Sequence, residues 1–468
     1  MRMVSLWRTL FCVPLALYGF SACQGASSGA PSLAATATQA PVVTTQSALG
    51  PGASVIQHVI IVIMENRSFD NLFQGFPGAD TASSGPTSTG AIQQLMPVTF
   101  ENPCDPDHSH GAWMAAYDGG KMDGFDKSSP GCSVPPVTTP SDGLLNYGYV
   151  PQAERQPYVD LATQFALADR MFATHTGPSY PGHVYLVAGT TDNQTDDPGA
   201  GEWGCDAPPG TTTTLLGPGG ASIGSAFPCI DDLTLGDLLD RKHISWKYYT
   251  ENIDYDATGV KHSIDTVGYS AIHHIRYGPD WNTDFSTQDD QIFTDIAAGT
   301  LPTVSWLNPP IIGSDHPGGV NNGNINLGPM FNATLANAIG ESQYFNNTAI
   351  LLTWDDWGGW YDHVKPVELD DDGLGFRVPL VVISKYAKHG YISHVQHEYG
   401  SLLHFVEDVF DLGSLGSTDA RADDLADMFD FTQSSQTYTP IVDARMPRRQ
   451  MEHMIKTLPT MVGKLDPY

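Results

Sequence analysis

Positive charge is what this chain has least of: 22 Lys and Arg stand against 52 Asp and Glu in 468 residues, a formal net charge of -30. That balance argues against a nucleic-acid backbone or an anionic membrane surface as the main partner, because both attract a basic footprint. An anionic substrate such as a phosphate ester would need positive charge created locally, by a metal ion or an Arg/His cluster. No Cys-x-x-Cys spacing occurs, which argues against a zinc site. No internal repeat is present, which excludes solenoids and propellers. Apolar runs long enough to span a bilayer are also missing. The stretch from Leu10 to Phe20 is too short, and with Arg2 and Arg8 before it residues 1–26 read as a bacterial export signal.

The signal's ending, Phe20-Ser21-Ala22-Cys23, resembles a lipobox, with phenylalanine where leucine is more usual. Lipidation at Cys23 would tether the protein to the cell envelope; plain signal-peptidase cleavage would secrete it. The expected organisation is a signal over 1–23, a flexible Ala/Ser/Thr/Pro/Gly linker over 24–54, and one catalytic domain over 55–468. Outside the signal the cysteines are Cys104, Cys132, Cys205 and Cys229, an even number in an exported chain, for which disulfides are the default. Of three possible pairings, Cys104 with Cys132 and Cys205 with Cys229 is expected, since each local loop would staple a Gly/Pro-rich insertion.

What the chain does have is two buried-strand patterns that end in oxygen ligands. Val59 to Met64 is continuously apolar and empties into Glu65-Asn66; Ala349 to Leu352 leads into Asp355-Asp356. Adjacent carboxylates repel unless a cation or a proton neutralises them. If the two strands are parallel neighbours, Glu65, Asn66, Asp355 and Asp356 offer hard oxygen donors to one divalent ion. Taken alone, the Asp-Asp pair reads equally as a solvated acidic turn.

Between these strands, Gln74 to Leu144 reads as a long surface excursion carrying Asp107-His108-Ser109-His110. Pro157 to Phe172 reads as an amphipathic helix that delivers the chain to Gly177-Pro178-Ser179-Tyr180-Pro181-Gly182-His183, a constrained turn presenting a serine. Gly199 to Cys229 reads as a rim over the site. Helices are expected at 234–243, 330–344 and 398–412, strands at 244–249, 303–307 and 379–384, and a solvated helix over 445–464. Asp315-His316 follows the 303–307 strand. Alternating strands and helices imply an α/β fold with a mostly parallel sheet covered on both faces.

Five stretches together resemble the bacterial phosphoesterase family of phosphatidylcholine-type phospholipases C and related acid phosphatases. They are Glu65 to Asp70, Gly119 to Phe125, Gly177 to Pro181, Ser314 to Pro317 and Trp354 to His363, in the family's order from about residue 57 to 412. The resemblance implies a three-layer α/β/α, alkaline-phosphatase-like fold. It implies a divalent metal of unstated identity on Glu65, Asn66, Asp355 and Asp356, with Ser179 as nucleophile. His108 and His316 are the implied phosphate-contacting histidines, His110 competing with the first and His273 or His274 being a weaker third. Many relatives carry asparagine three residues after the nucleophile, where this chain has Gly182; that contact is either missing or supplied elsewhere. The chemistry implied is in-line displacement through a phosphoserine. An acid phosphatase acting on a small phosphate ester is the first expectation and a phospholipase C the second. A non-catalytic, cation-binding surface lipoprotein is the rival class.

Overall fold

Six apolar residues in succession, five of them β-branched, have no polar face to offer water, so the strand they form must be covered on both sides. A computed structural model shows this strand, β1 (His58–Met64), buried from Val59 onward. The structure describes residues 49–441, apart from 133–142, 200–201, 319–326, 434–435 and positions 252, 256–258, 260, 264 and 289. The expected signal, most of the linker with Cys23, and the 445–464 helix lie outside the described residues.

The other strands of the main sheet are β2 (Ala166–Ala168), β3 (Trp246–Tyr249), β4 (Phe285–Ser286), β5 (Val304–Leu307), β6 (Thr348–Trp354), β7 (Leu380–Ser384) and β8 (Tyr391–Ser393). Their order is β4-β3-β5-β1-β6-β7-β2-β8. Every neighbouring pair is parallel except those that β7 makes with β6 and β2. β1 and β6 run in register from His58 opposite Thr348 to Met64 opposite Trp354, so the two polar stretches leave the sheet side by side.

The principal helices are α1 (Phe69–Phe73), α2 (His110–Tyr117), α3 (Gln156–Gln164), α4 (Ser179–Ala188), α5 (Leu235–Arg241), α6 (Gln291–Ala298), α7 (Gly328–Gly340) and α8 (Tyr399–Phe410). Side-chain alternation places them on two faces. Trp306, paired with Ile61, donates its indole N–H to Leu186 O in α4, whereas Met64, of opposite parity, meets Asn332 of α7. α3 and α6 pack on α7, and α5 and α8 pack on α4. The three-layer α/β/α expectation with a mostly parallel sheet holds.

Two expected elements change. The helix expected to Phe172 ends at Gln164, and the apolar run after it becomes β2, clamped between β7 and β8; a short apolar run does not distinguish helix from strand by itself. The 330–344 helix stops at Gly340, and a separate 3-10 turn covers Gln343–Asn346. The excursion from Gln74 is more than a surface loop. It contributes Trp113, Tyr117 and Phe125 to an aromatic core with Tyr147, Trp357, Tyr361 and Phe376. Gly124 is confined to glycine there, because a Cβ would collide with Ala115 O.

Both expected disulfides form, Cys104–Cys132 and Cys205–Cys229, with Cα atoms 4.0 and 4.6 Å apart. The first joins two short paired strands, Cys104–Pro106 and Pro130–Cys132. Closing a loop with a sequence separation of 28 removes about 3.6 kcal/mol of unfolded-state entropy. The Cys104→Ser/Cys132→Ser double variant should therefore melt several degrees below the parent in a calorimetric scan; an unchanged melting temperature would show the bridge to be idle.

Candidate active site

Ser179 is the first residue of α4 and follows the Gly177-Pro178 turn. The turn demands glycine at 177, since a Cβ there would strike Thr195 Oγ1. Asp197 Oδ1 accepts a hydrogen bond from Tyr180 N at 2.8 Å, fixing the start of the helix. His175 ties this turn to β6: its Nε2–H donates to Asp355 O at 3.0 Å and its Nδ1 accepts from Gly177 N at 3.2 Å. Burial lowers the His175 pKa to about 4, so the ring serves as a neutral strut.

Ser179 Oγ is buried and points into a ring of oxygens. It lies 3.1 Å from Asn66 Oδ1, 3.3 Å from Asp356 Oδ2 and 3.4 Å from Glu65 Oε2. Asp355 is held by the backbone, its Oδ1 accepting from Asn66 N and Asp356 N, both at 2.9 Å. Adjacent donors around a cation at 2.0–2.4 Å sit about 3.0–3.4 Å apart, the spacing seen between these oxygens.

Asn66 supplies a further test of fit. One amide atom faces Glu65 Oε2 at 3.1 Å and Asp355 Oδ1 at 3.0 Å; the other faces His108 Nε2 at 3.0 Å and His316 Nε2 at 3.2 Å. His108 Nδ1 pairs with Pro106 O and His316 Nδ1 with Pro317 O, each at 2.7 Å. A carbonyl only accepts, so both rings carry a proton on Nδ1, and in the neutral tautomer each Nε2 is an acceptor. The amide nitrogen then faces the histidines and its oxygen faces the carboxylates. Oxygen against carboxylate oxygen is repulsive unless a cation lies among them. The donors fit a divalent ion.

The electrostatics agree. Burial, and then the charge of Asp355, push the Glu65 carboxyl up to about 8. Against the opposing effect of burial, hydrogen bonds to Asp355 and Glu65 raise the His183 pKa to about 10. The Asp355 pKa is lowered by the same histidine, again against burial. The cluster holds more negative charge than its own groups neutralise, and protons on Glu65 and His183 stand in for a cation.

The structure thus gathers Ser179, Glu65, Asn66, Asp355, Asp356, His108 and His316. It does not bring in His273 or His274: His273 is exposed against Tyr277, and His274 is bound by Asp231 and Asp237. His110 is bonded to Thr176 Oγ1 and Gly220 O, while His108 approaches Asp356 Oδ2 at 3.9 Å. Sequence reasoning missed His175 and His183. His183 Nε2 lies 3.2 Å from Glu65 Oε1 and 3.5 Å from Asp355 Oδ2, and the signal was its place four residues after Ser179, on the same helix face.

Two further groups among the described residues have ligand spacing, Asp70/Asp362/His363 and His397/Asp423/Asp427. The first already has a resident cation, since Arg377 donates to both oxygens of Asp362 at 2.8 and 3.0 Å. The other, joined to Ser393, has the outline of a Ser-His-Asp relay, but that hydroxyl donates its proton to Asp427 and not to His397. Both are structural.

Residues 56–413 match the profile described as the Phosphoesterase family. The chain belongs to that family. It is an enzyme that hydrolyses phosphate ester bonds. Non-specific phospholipase C6 of Arabidopsis thaliana is 24% identical over 83% of this chain and 75% of its own. Phospholipase C A of Mycobacterium tuberculosis is 24% identical over 75% and 72%, and hemolytic phospholipase C of Pseudomonas aeruginosa 23% over 82% and 57%. Among solved structures, a protein in the alkaline phosphatase superfamily from Vibrio parahaemolyticus aligns over 79% of this chain and 69% of its own, at 12% identity and a TM-score of 0.34. The fold class rests on the sheet itself.

Position 182 is closed to any side chain, because a Cβ would collide with Asp355 O and crowd His175 Nε2. Gly182→Ala should therefore displace either α4 or the Asp355 backbone, and lower kcat by about tenfold or more together with the melting temperature. Wild-type kinetics in that variant would show the helix and strand to be less tightly opposed than described.

Proposed function

We propose that the protein cleaves phosphodiesters through Ser179, with the phospholipase C reaction as its principal activity. The observation that carries the mechanism is Ser179 Oγ standing 3.1–3.4 Å from three oxygens of a cation-ready cluster. Glu65, Asn66, Asp355 and Asp356 would hold the ion. When bound, it supplies charge neutralisation for phosphoryl oxygens and lowers the pKa of the serine hydroxyl.

Ser179 Oγ attacks phosphorus as its proton passes toward Asp356, the carboxylate its hydroxyl faces. The ester oxygen departs as an alcohol, leaving a phosphoserine, and water releases the phosphate product and restores Oγ. The proton that left Oγ goes to the departing alcohol, and His108 and His316, whose Nε2 atoms flank Asn66 as acceptors, take the proton of the attacking water in the second step and return it to Oγ as phosphate leaves. His175 keeps Gly177 and Asp355 in fixed relation while this happens.

Charge supports the diester. Three carboxylates and one divalent cation sum to about -1, and a monoester brings nearly two further charges where a diester brings one. A cavity of about 240 Å³, which takes Thr176 from the segment that leads to Ser179, is lined by Trp113, Tyr117, His110, Glu368 and Asp371; Lys365 lies over the Tyr117 ring, and the Trp113 face with the acidic groups suits the cationic end of a head group. Met114 on its wall and Val367 and Leu369 beside Glu368 expose apolar surface, a rim suited to a lipid interface. The names of the curated relatives support the same reading. The second reading, an acid phosphatase acting on a soluble monoester, is favoured by the net charge of -30, which opposes anionic interfaces. The family match over residues 56–413 supports an enzyme over the non-catalytic reading. Export, with a tether at Cys23 ahead of one catalytic domain from residue 55, completes the proposal; among the described residues no helix is long and apolar enough to cross a membrane.

Ser179→Ala should retain the parent's melting curve and lose at least about a thousandfold in kcat. Comparable turnover would remove the serine from the mechanism. In a substrate panel, kcat/KM on phosphatidylcholine should exceed that on a soluble aryl phosphomonoester by about tenfold or more, roughly 1.4 kcal/mol of transition-state binding. The opposite ranking would establish the phosphatase reading and leave the site unchanged.

A further inference from the structure

We propose that His183 is a nitrogen ligand of the cation held by Glu65 and Asp355, and that the centre therefore selects a divalent transition ion over Mg2+ and Ca2+. The inference rests on reading Glu65, Asn66, Asp355 and Asp356 as a cation site, and goes beyond it in donor set and ion class.

Three observations carry it. Ser179 and His183 are four residues apart in α4, so the helix that supplies the nucleophile points the imidazole at the same cluster. His183 Nε2, Glu65 Oε1 and Asp355 Oδ2 are spaced at 3.2 and 3.5 Å about the nitrogen, matching the intervals between the oxygens around Ser179. One nitrogen and two carboxylate oxygens, all within 4.8 Å of one another, form a ligand group with both carboxylates already assigned to the ion. The ring is fully buried, and the residue before it cannot carry a side chain, so His183 is the donor that α4 offers beside Ser179.

Glu65 links the two halves of the set: Oε2 faces Ser179 and Oε1 faces His183. The chemistry follows from the donor type. Mg2+ and Ca2+ prefer oxygen alone, whereas an imidazole nitrogen stabilises Mn2+, Fe2+, Co2+ and Zn2+ progressively along the first-row series.

The test uses the full chain, stripped with chelator and titrated separately with Co2+, Mn2+, Mg2+ and Ca2+ while the melting temperature is followed, together with X-ray absorption on the cobalt-loaded protein. Co2+ should stabilise at concentrations at least about tenfold below those required of Mg2+ or Ca2+, and its absorption spectrum should contain the scattering signature of one imidazole. His183→Gln, which replaces the ring with an amide, should weaken Co2+ by about ten- to a hundredfold and leave Mg2+ within about threefold of the parent. An oxygen-only cobalt shell in the parent, or an unchanged cobalt preference in His183→Gln, would overturn the assignment while the oxygen site stands. If no ion shifts the parent's melting curve, and Asp355→Asn melts like the parent in every ion, the cation site itself is absent and the inference falls with it.

Discussion

Everything at the functional end of this molecule follows from three carboxylates crowded together in a dry place. Glu65, Asp355 and Asp356 are buried, brought side by side by the parallel register of β1 and β6. Their mutual repulsion is far stronger there than in water, and the fold tolerates it only because backbone amides, His183 and a site for a cation absorb the charge. The sheet supplies the rigidity. Five parallel strands, β4-β3-β5-β1-β6, hold two chain segments almost 300 residues apart in one position, and the chemistry of the site is the cost of that convergence turned to use.

The surrounding motifs divide into chemistry and support. Asp70, Asp362 and His363 sit within the stretches that resemble the family, yet their side chains serve Arg377 and Asp80 behind the site. Phe125, at the end of the Gly119 stretch, packs edge-on against Trp357 with ring centres 5.8 Å apart, so a sequence signature far from the serine fixes the loop that follows the aspartates. The Cys104–Cys132 bridge acts similarly on the other side, closing the strand pair whose Pro106 carbonyl anchors His108.

Much of the site was legible in sequence because strand ends announce themselves: a continuous apolar run followed by Glu-Asn or Asp-Asp can be read without a structure. The parallel pairing of those runs, both disulfides and the alternation of layers follow from similar local signals. Other features depend on tertiary partners. β2 is three residues of Ala-Leu-Ala that have strand character only between β7 and β8, and a helical extension of α3 was the natural reading of the same letters. His183 was visible as a residue but silent as a donor, since its partners are contributed by β1 and β6. His273 and His274 stood in sequence as a weaker third contact behind His108 and His316, and the path of the chain sends them to Asp231, Asp237 and Tyr277 instead.

The loop that carries the two aspartates also carries an optical consequence. Trp354, Trp357 and Trp360 bracket Asp355 and Asp356 within seven residues, and all three indoles are shielded from solvent. Trp354 donates its ring N–H to Asp315 beneath the site, whereas the ring nitrogens of Trp357 and Trp360 are buried without an acceptor. Indole emission is sensitive to nearby charge and to small rotations of its surroundings. An indole thus stands on either side of the aspartate pair in sequence, and a change of charge at the centre is expected to register in tryptophan emission.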